Sequence, residues 1–382
     1  MAILKTDTVS GIGTEGTVFD GDITFDSLNY MTLPKGTTTQ SNAVSSGISS
    51  VTGAIRYNTD SNKMECFNGD GWWEISVSEA TPIAGRALVF GGQVDAAPTF
   101  SNIIDYVTIE TKGNSVDFGD TTVARYYATA VGNRTRGIYS GGRTPTKLNT
   151  MDYVTIATAG NALDFGDLLN TFIDDSGSVS NQVRGVIAGG GYPGSDPTNT
   201  IEYWTMAILS NAIDFGDLTT ARRFLTGCSS PTRGVFAGGY VGPPQNVIDY
   251  ITIMSTGNAV DFGDLTRAQY SVEGVSSGIR GVFGQGRTYG PVVDYNTIDY
   301  VNIATTGNAV DWGDMVYTGG YGQAASSRTR GLWLGGTYPA PTGNQNIIQE
   351  LNLLDLGNST DFGDLTVGRQ WAGAASNAHG GL

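Results

Sequence analysis

One tetrapeptide sets the frame of this chain. Asp-Phe-Gly-Asp begins at Asp117, Asp164, Asp214, Asp261 and Asp361, and returns as Asp-Trp-Gly-Asp at Asp311, in steps of 47 or 50 residues. A second marker, an arginine followed by an apolar run and glycines, keeps the same beat: Arg86 in RALVFGG, Arg136 in RGIYSGG, Arg184 in RGVIAGG, Arg233 in RGVFAGG, Arg280 in RGVFGQG and Arg330 in RGLWLGG. A third, IDYVTI and its variants, carries Tyr106, Tyr153, Tyr203, Tyr250 and Tyr300, with Glu350 in the sixth copy. In every copy that position lies 12 residues ahead of the Phe or Trp. A period of this size means one supersecondary unit, unable to bury its apolar face alone, stacked against copies of itself.

Each copy reads as four short strands. The arginine strand ends in glycines. A loop of variable length leads to the alternating IDYVTI strand. Gly113-Asn114, Gly160-Asn161, Ser210-Asn211, Gly257-Asn258, Gly307-Asn308 and Gly357-Asn358 then supply a tight turn, because Gly and Asn tolerate positive φ. NAVDFGDL returns from that turn, and a fourth strand such as ARRFLTGCSS leads to the next arginine. The composition agrees with an all-β chain: 55 glycines, with charged residues only 15% of the total, against a typical quarter.

The unit length and the order of markers, double glycine, then tyrosine, then a large aromatic, resemble a divergent kelch motif in which Phe usually replaces the family's Trp; Trp312 keeps it. The resemblance covers roughly residues 84–382. It implies an all-β, six-bladed kelch-like β-propeller of about 50-residue repeats. In such a blade the innermost strand precedes the double-glycine strand. The first copy lacks it, and Thr366–Asn377 (TVGRQWAGAASN) matches the innermost strands of the other copies. The expectation is a propeller closed by the C-terminal strand, which leaves no open sheet edge at the seam. The tail from His379 to Leu382 reads as the truncated start of another repeat.

The charge balance narrows the function classes. A net charge of −15 and the lack of any Lys/Arg cluster argue against nucleic acid and against an anionic membrane surface. No stretch approaches the roughly 18 apolar residues of a membrane span, and the N-terminus carries no signal-peptide pattern. Cys66 and Cys228 are far apart and read as small apolar residues rather than a disulfide or zinc framework.

Catalysis finds little support. The single histidine, His379, reads as a loose tail residue rather than a general base. Asp-Phe-Gly lacks the other kinase elements. Paired-carboxylate chemistry needs an asymmetric constellation, whereas the aspartates here repeat in every copy. Asp-x-Gly-Asp is also a candidate calcium ligand set, but it matches neither the EF-hand nor the RTX spacing. The favoured reading is structural: the Phe packs between neighbouring units, the Gly allows a bulge, and the Asp side chains cap turn N–H groups. The repeat arginines either pair with these aspartates between units or face solvent.

Residues 1–80 do not repeat. Thr52–Ile75, TGAIRYNTDSNKMECFNGDGWWEI, reads as hairpins: GAIRYNTD, a turn at Ser61-Asn62, KMECFNGDG, then WWEIS. This stretch resembles a short module of tail-fibre and other virion proteins of tailed bacteriophages, through Gly53, Arg56, Tyr57, Asn58, Thr59, Asn62, Lys63, Phe67 and Trp73. The repeat, TIATTGNAVDFGDLT in consensus, resembles repeats in structural proteins of marine and cyanobacterial phages. The implied protein is a non-enzymatic virion component: a small β-rich attachment or oligomerisation module (1–80) and a propeller (84–382). A tail or neck appendage contacting the host surface is the leading reading. A capsid decoration or adaptor and a carbohydrate-degrading tailspike are the alternatives. Expected partners are other virion proteins, a host-surface glycan or protein, and further copies of the chain. Tyr192, Tyr240, Tyr289, Tyr295 and Tyr338, in the variable loops after the double glycines, are the candidate contact residues, since tyrosine gives contact area at low entropic cost.

Overall fold

The computed structural model describes residues 35–36, 54–61, 63–67, 70–74, 85–94, 99–170, 176–191, 197–337 and 343–382. Its contacts divide the chain into two units, residues 1–80 and 81–382. No helix occurs among the described residues, and the chain is all-β.

The first unit holds a four-stranded sheet: Lys35–Gly36, parallel to Ile55–Asn58, then Lys63–Phe67 and Trp72–Glu74 in antiparallel order. Alternation places Arg56 and Glu65 opposite one another on its buried face. The Arg56 Nε donates to Glu65 at 2.8 Å, Asn58 donates to the same carboxylate at 2.7 Å, and the guanidinium lies 4.6 Å from the Trp72 ring. The pair is thus hydrogen-bonded as a buried charge must be. The hairpins read from the sequence are present, although Gly53 and Asn62 lie outside the described residues.

The second unit contains six four-stranded antiparallel sheets among its described residues. The first joins Gly373–Ser376, Arg86–Phe90, Ile103–Thr108 and Val116–Asp120. The second runs Thr129–Gly132, Arg136–Ser140, Thr150–Thr155, Leu163–Asp167. The third is Gly177–Ser180, Arg184–Ala188, Thr200–Thr205, Ile213–Asp217. The fourth is Thr226–Ser229, Arg233–Ala237, Gln245–Thr252, Val260–Gln269. The fifth is Glu273–Ser276, Arg280–Gly284, Thr297–Asn302, Val310–Asp314, and the sixth Gln323–Ser326, Arg330–Leu334, Ile347–Asn352, Thr360–Asp364. The first sheet therefore takes its leading strand from the far end of the chain, with Gly373 opposite Phe90 and Ser376 opposite Ala87.

Six apolar clusters hold these sheets together, and each is shared by two neighbours. Leu88, Phe90 and Phe118 of the first sheet, for example, meet Tyr139, Val154 and Ile156 of the second. Phe362 and Leu332 of the sixth meet Val89 and Val107 of the first. Burying one such phenylalanine stabilises the fold by about 2–3 kcal/mol.

The repeated tetrapeptide is the clasp of this arrangement. Its Phe or Trp is buried and meets the tyrosine of its own sheet edge-on, at 5.1 to 6.0 Å between centroids in five sheets. The ladder slips by one residue at the same place in all six sheets: Asp152 faces Asp164 while Met151 faces Gly166, which leaves Phe165 as the bulged residue. The motif's glycine has φ between +144° and +155° in every copy. It abuts the Gly-Asn turn of the next sheet so closely that a Cβ on Gly119 would lie 2.5 Å from the Gly160 carbonyl oxygen. That contact carries hydrogen bonds between sheets. Gly160 N donates to Phe118 O at 2.8 Å, Ala162 N to Asp120 O at 2.7 Å, and Asp120 N to Asn161 Oδ1 at 3.1 Å. Equivalent bonds run from Gly113 and Ser115 back to Phe362 and Asp364.

Two expectations need correction. The motif's aspartates do not cap turns with their side chains. The capping is done by the motif's backbone and by the neighbouring Asn, and the first Asp of each copy is solvent-exposed. Nor do the repeat arginines pair with those aspartates. Arg86, Arg136, Arg184 and Arg233 lie 4.4 to 4.8 Å from the tyrosine rings of their own sheets. Each donates Nη1 to a carbonyl of the next sheet, Arg86 to Ile156 and Arg136 to Met206, both at 2.9 Å. Arg330 closes the series by donating to Ile109 at 2.8 Å. In the sixth sheet, where Glu350 replaces the tyrosine, Arg330 forms an ion pair with it instead, 3.1 Å from Nε.

Candidate functional site

The leading strands of the six sheets are built from small residues. Their last positions are Gly132, Ser180, Ser229, Ser276, Ser326 and Ser376. The serine hydroxyls bridge adjacent strands: Ser180 to Gly132 O and Ser229 to Ser180 O at 2.8 Å, Ser326 to Ser276 O at 3.1 Å, Ser376 to Ser326 O at 2.6 Å. Where the series lacks a hydroxyl, it lacks room for one. A Cβ on Gly132 would sit 2.3 Å from the Ser376 carbonyl oxygen. The six strands line a channel with a cavity of about 130 Å³, room for about four waters.

The chain's tail occupies one end of this channel. His379 is half-buried: its Nε2 lies 2.8 Å from Gly132 O and 3.3 Å from Ser180 Oγ, while Gly381 N donates to Nδ1. The ring is therefore the neutral Nε2–H form, and desolvation holds its pKa below the usual histidine range. Gly380 N donates to Ser276 O, Ala378 bridges to Ser327, and Leu382 is buried. The expectation of a loose terminal histidine is corrected: glycines at 380 and 381 let the tail turn across the strand ends, and desolvated contacts hold the ring there. Glu273 lines the same cavity and is the one carboxylate among its described lining residues. Burial pushes its carboxyl well above the ordinary glutamate range.

The other end is aromatic. Five positions spaced by the repeat, each five residues ahead of the last leading-strand position, hold a side chain in the left-handed region: Tyr127, Phe224, Ser271, Tyr321 and Trp371, with φ between +53° and +60°. The sixth such position, 175, lies outside the described residues. Backbone bonds link neighbours in this series: Tyr127 N to Trp371 O, Trp371 N to Tyr321 O, Ser271 N to Phe224 O, at 2.9 to 3.0 Å. The rings converge, with Tyr127 4.5 Å and Tyr321 5.2 Å from Trp371, and Phe224 6.0 Å from Tyr321. Tyr270 joins Phe224 at 5.5 Å, and burial raises its hydroxyl pKa.

This end also receives the variable loops. Tyr240 meets Tyr270 at 5.4 Å and Tyr289 at 6.0 Å, and Tyr289 is 65% exposed. These two candidate contact residues thus belong to the aromatic group. Tyr295 sits apart, its ring 4.0 Å from the Arg267 guanidinium. Tyr192 and Tyr338 lie outside the described residues. Three arginines flank the group: Arg143 over Tyr126, Arg223 over Phe224 and Tyr240, Arg287 over Tyr321. Arg287 is ion-paired with Asp294, its Nε 2.7 Å from Oδ1. Tyr127, Phe224, Tyr270, Tyr321, Trp371 and Arg223 lie inside the repeat, so the variation that marks the unrepeated loops does not single them out. Aligning the repeats on the leading-strand serine would have placed four aromatics in one register.

Among the described residues no three His, Cys, Asp or Glu side chains gather where a metal ion could sit. Comparison with known proteins finds no matching family model and no curated protein of significant similarity.

Proposed function

We propose that the second unit is a closed six-bladed, kelch-like β-propeller that recognises a surface ligand without turning it over, carried as a tail or neck appendage of a bacteriophage virion. The propeller part rests on cyclic connections. Apolar clusters, arginine–carbonyl bonds and tetrapeptide clasps all run from each sheet to the next and from the sixth to the first. The C-terminal strand, paired with Arg86–Phe90, is the closing element. The virion part rests on the resemblance of Thr52–Ile75 and of the repeat consensus to phage structural proteins.

The observation that carries the binding function is the aromatic end of the channel. Half-exposed rings and exposed Tyr289 converge there under the loops that vary most, as recognition surfaces do. The test is a gold-labelled antibody against this chain on phage particles, together with adsorption of the fluorescent purified protein to host cells. Labelling at the tail or neck and saturable adsorption are expected. Labelling confined to the capsid shell, without adsorption, would replace this reading with a decoration or adaptor role.

A further inference from the structure

We infer that the aromatic end of the channel is a binding site for a carboxylate-bearing saccharide, a uronic-acid glycan, with Arg223 as the anion contact. This deepens the host-surface reading above and rests on it.

The first argument is conformational. A side chain in the left-handed region costs about 1–2 kcal/mol relative to glycine. Twenty-five glycines with positive φ occur among the described residues, so this chain uses glycine freely wherever a backbone must turn that way. Yet Tyr127, Phe224, Tyr321 and Trp371 keep large rings at such positions, all at the same end of the channel. Those residues are half-buried rather than core, so burial alone gives back little of the strain. Strain concentrated at one site is the signature of a surface shaped for a ligand.

The second argument is chemical. A group of aromatic faces next to a channel rich in hydroxyls suits a ligand with apolar C–H faces and many polar edges, which describes a sugar ring. The rings offer stacking area, and Thr226 and Gln323 offer hydrogen-bonding groups on the channel wall.

The third argument is electrostatic. The Arg223 guanidinium lies 5.5 Å from the Phe224 ring and 5.6 Å from Tyr240, and its buried Nη1 has no hydrogen-bond partner. A buried donor left unmade costs about 1–3 kcal/mol. Arg287 already has Asp294, whereas Arg223 forms no ion pair among the described residues. The Arg223 cation matches a singly charged carboxylate better than a doubly charged phosphate ester, and this fits a chain whose net charge of −15 repels dense polyanions. A small rotation of Arg223 away from Phe224 would present its fork to that carboxylate.

The experiment applies the full-length protein to an array of uronate-bearing, phosphate-bearing and neutral oligosaccharides, and measures affinities for the retained ligands by calorimetry. Retention on uronate-bearing glycans is expected. Arg223→Gln should weaken them by about tenfold or more, the size of one charged hydrogen bond, and leave neutral analogues unchanged. Tyr127→Gly, which relieves the left-handed strain, should weaken binding about fivefold. Its thermal midpoint should stay within about 4 °C of the parent, so that loss of binding is not loss of fold. No retention on any uronate glycan, or equal affinity for neutral and acidic forms, overturns the inference. If the protein still adsorbs to host cells while Arg223→Gln changes nothing, the host-surface reading stands and this site assignment falls. If it adsorbs to no cells, the broader reading falls first.

Discussion

In the fourth sheet a fully buried arginine, Arg222, ties the entry of the leading strand to the third strand. Its Nη1 lies 2.6 Å from Asp249, and Nε and Nη2 donate to the carbonyls of Gly238 and Phe236. In the fifth sheet Gln269 stands at the arginine position, and Gln285 at the position of Gly238. Asp299, the counterpart of Asp249, is left with Thr266, whose N–H and hydroxyl it accepts at 3.0 and 2.7 Å. Arg125 with Asp152 and Arg369 with Asp105 repeat the first solution. The sixth sheet drops the charge altogether: Gly319 stands at the arginine position and the neutral Gln349 at that of the acid, its Oε1 accepting from Tyr317 N at 3.0 Å. One backbone thus carries an ion pair, a lone acid or an amide at the same place. The difference teaches that the arginine is not what makes the sheet form. Burial without a paired arginine pushes the Asp299 and Glu202 carboxyls above their ordinary values.

The largest expected effect breaks the ion pair on one side. Arg222→Met strands Asp249 in a site with no exposure and should destabilise the protein by about 3–5 kcal/mol. Chemical denaturation measures it, and a loss below about 1 kcal/mol would mean that water reaches the acid. Next comes conversion of the fifth sheet to the fourth. Gln269→Arg with Gln285→Gly restores both the cation and the space around it. The expected gain is about 1 kcal/mol at pH 7, together with a fall in the Asp299 pKa that carboxyl NMR would follow.

The smallest effect is the pH dependence. Because the folded-state pKa of Asp299 is raised, the native protein holds that proton to higher pH than the unfolded chain does. Its contribution to stability is therefore largest in acid and declines as pH rises from about 3.8, the ordinary value, through the raised folded value. Glu202 acts in the same direction. Asp299→Asn should change stability by less than about 1 kcal/mol and should flatten this slope. The tolerated amide at Gln349 is the precedent, and an unchanged slope would refute the assignment.

The sheets were legible because their markers are local: a bulge glycine, a Gly-Asn turn and an alternating strand announce themselves within a dozen residues. The pairing of Gly373–Ser376 with Arg86–Phe90 was also legible, since the segment at 366–377 looked like the strand that the first copy lacked. Partners across the repeat were not. Arg86 reaches the carbonyl of Ile156, a backbone atom with no sequence signature, and the obvious charged alternative at the tetrapeptide proved solvent-exposed. The aromatic end was half legible. Tyr240 and Tyr289 stood out in unrepeated loops, but Tyr127 and Trp371 were hidden inside the repeat, where regularity suggested architecture. His379 reads as free from its place near residue 382, and only the fold brings Gly132 O and Gly381 N to its ring.

The seam in the first sheet has a consequence for biogenesis. Arg86–Phe90 is among the first strands of its unit to leave the ribosome, yet its neighbour Gly373–Ser376 is among the last. Throughout synthesis the strand RALVF therefore waits with one edge unpaired, in a sequence made for β-pairing. Folding of this unit is completed only once Gly373–Ser376 has emerged, and the interval before that is when the chain is most exposed to pairing with another copy of itself. A nonsense change anywhere before residue 373 would make that interval permanent.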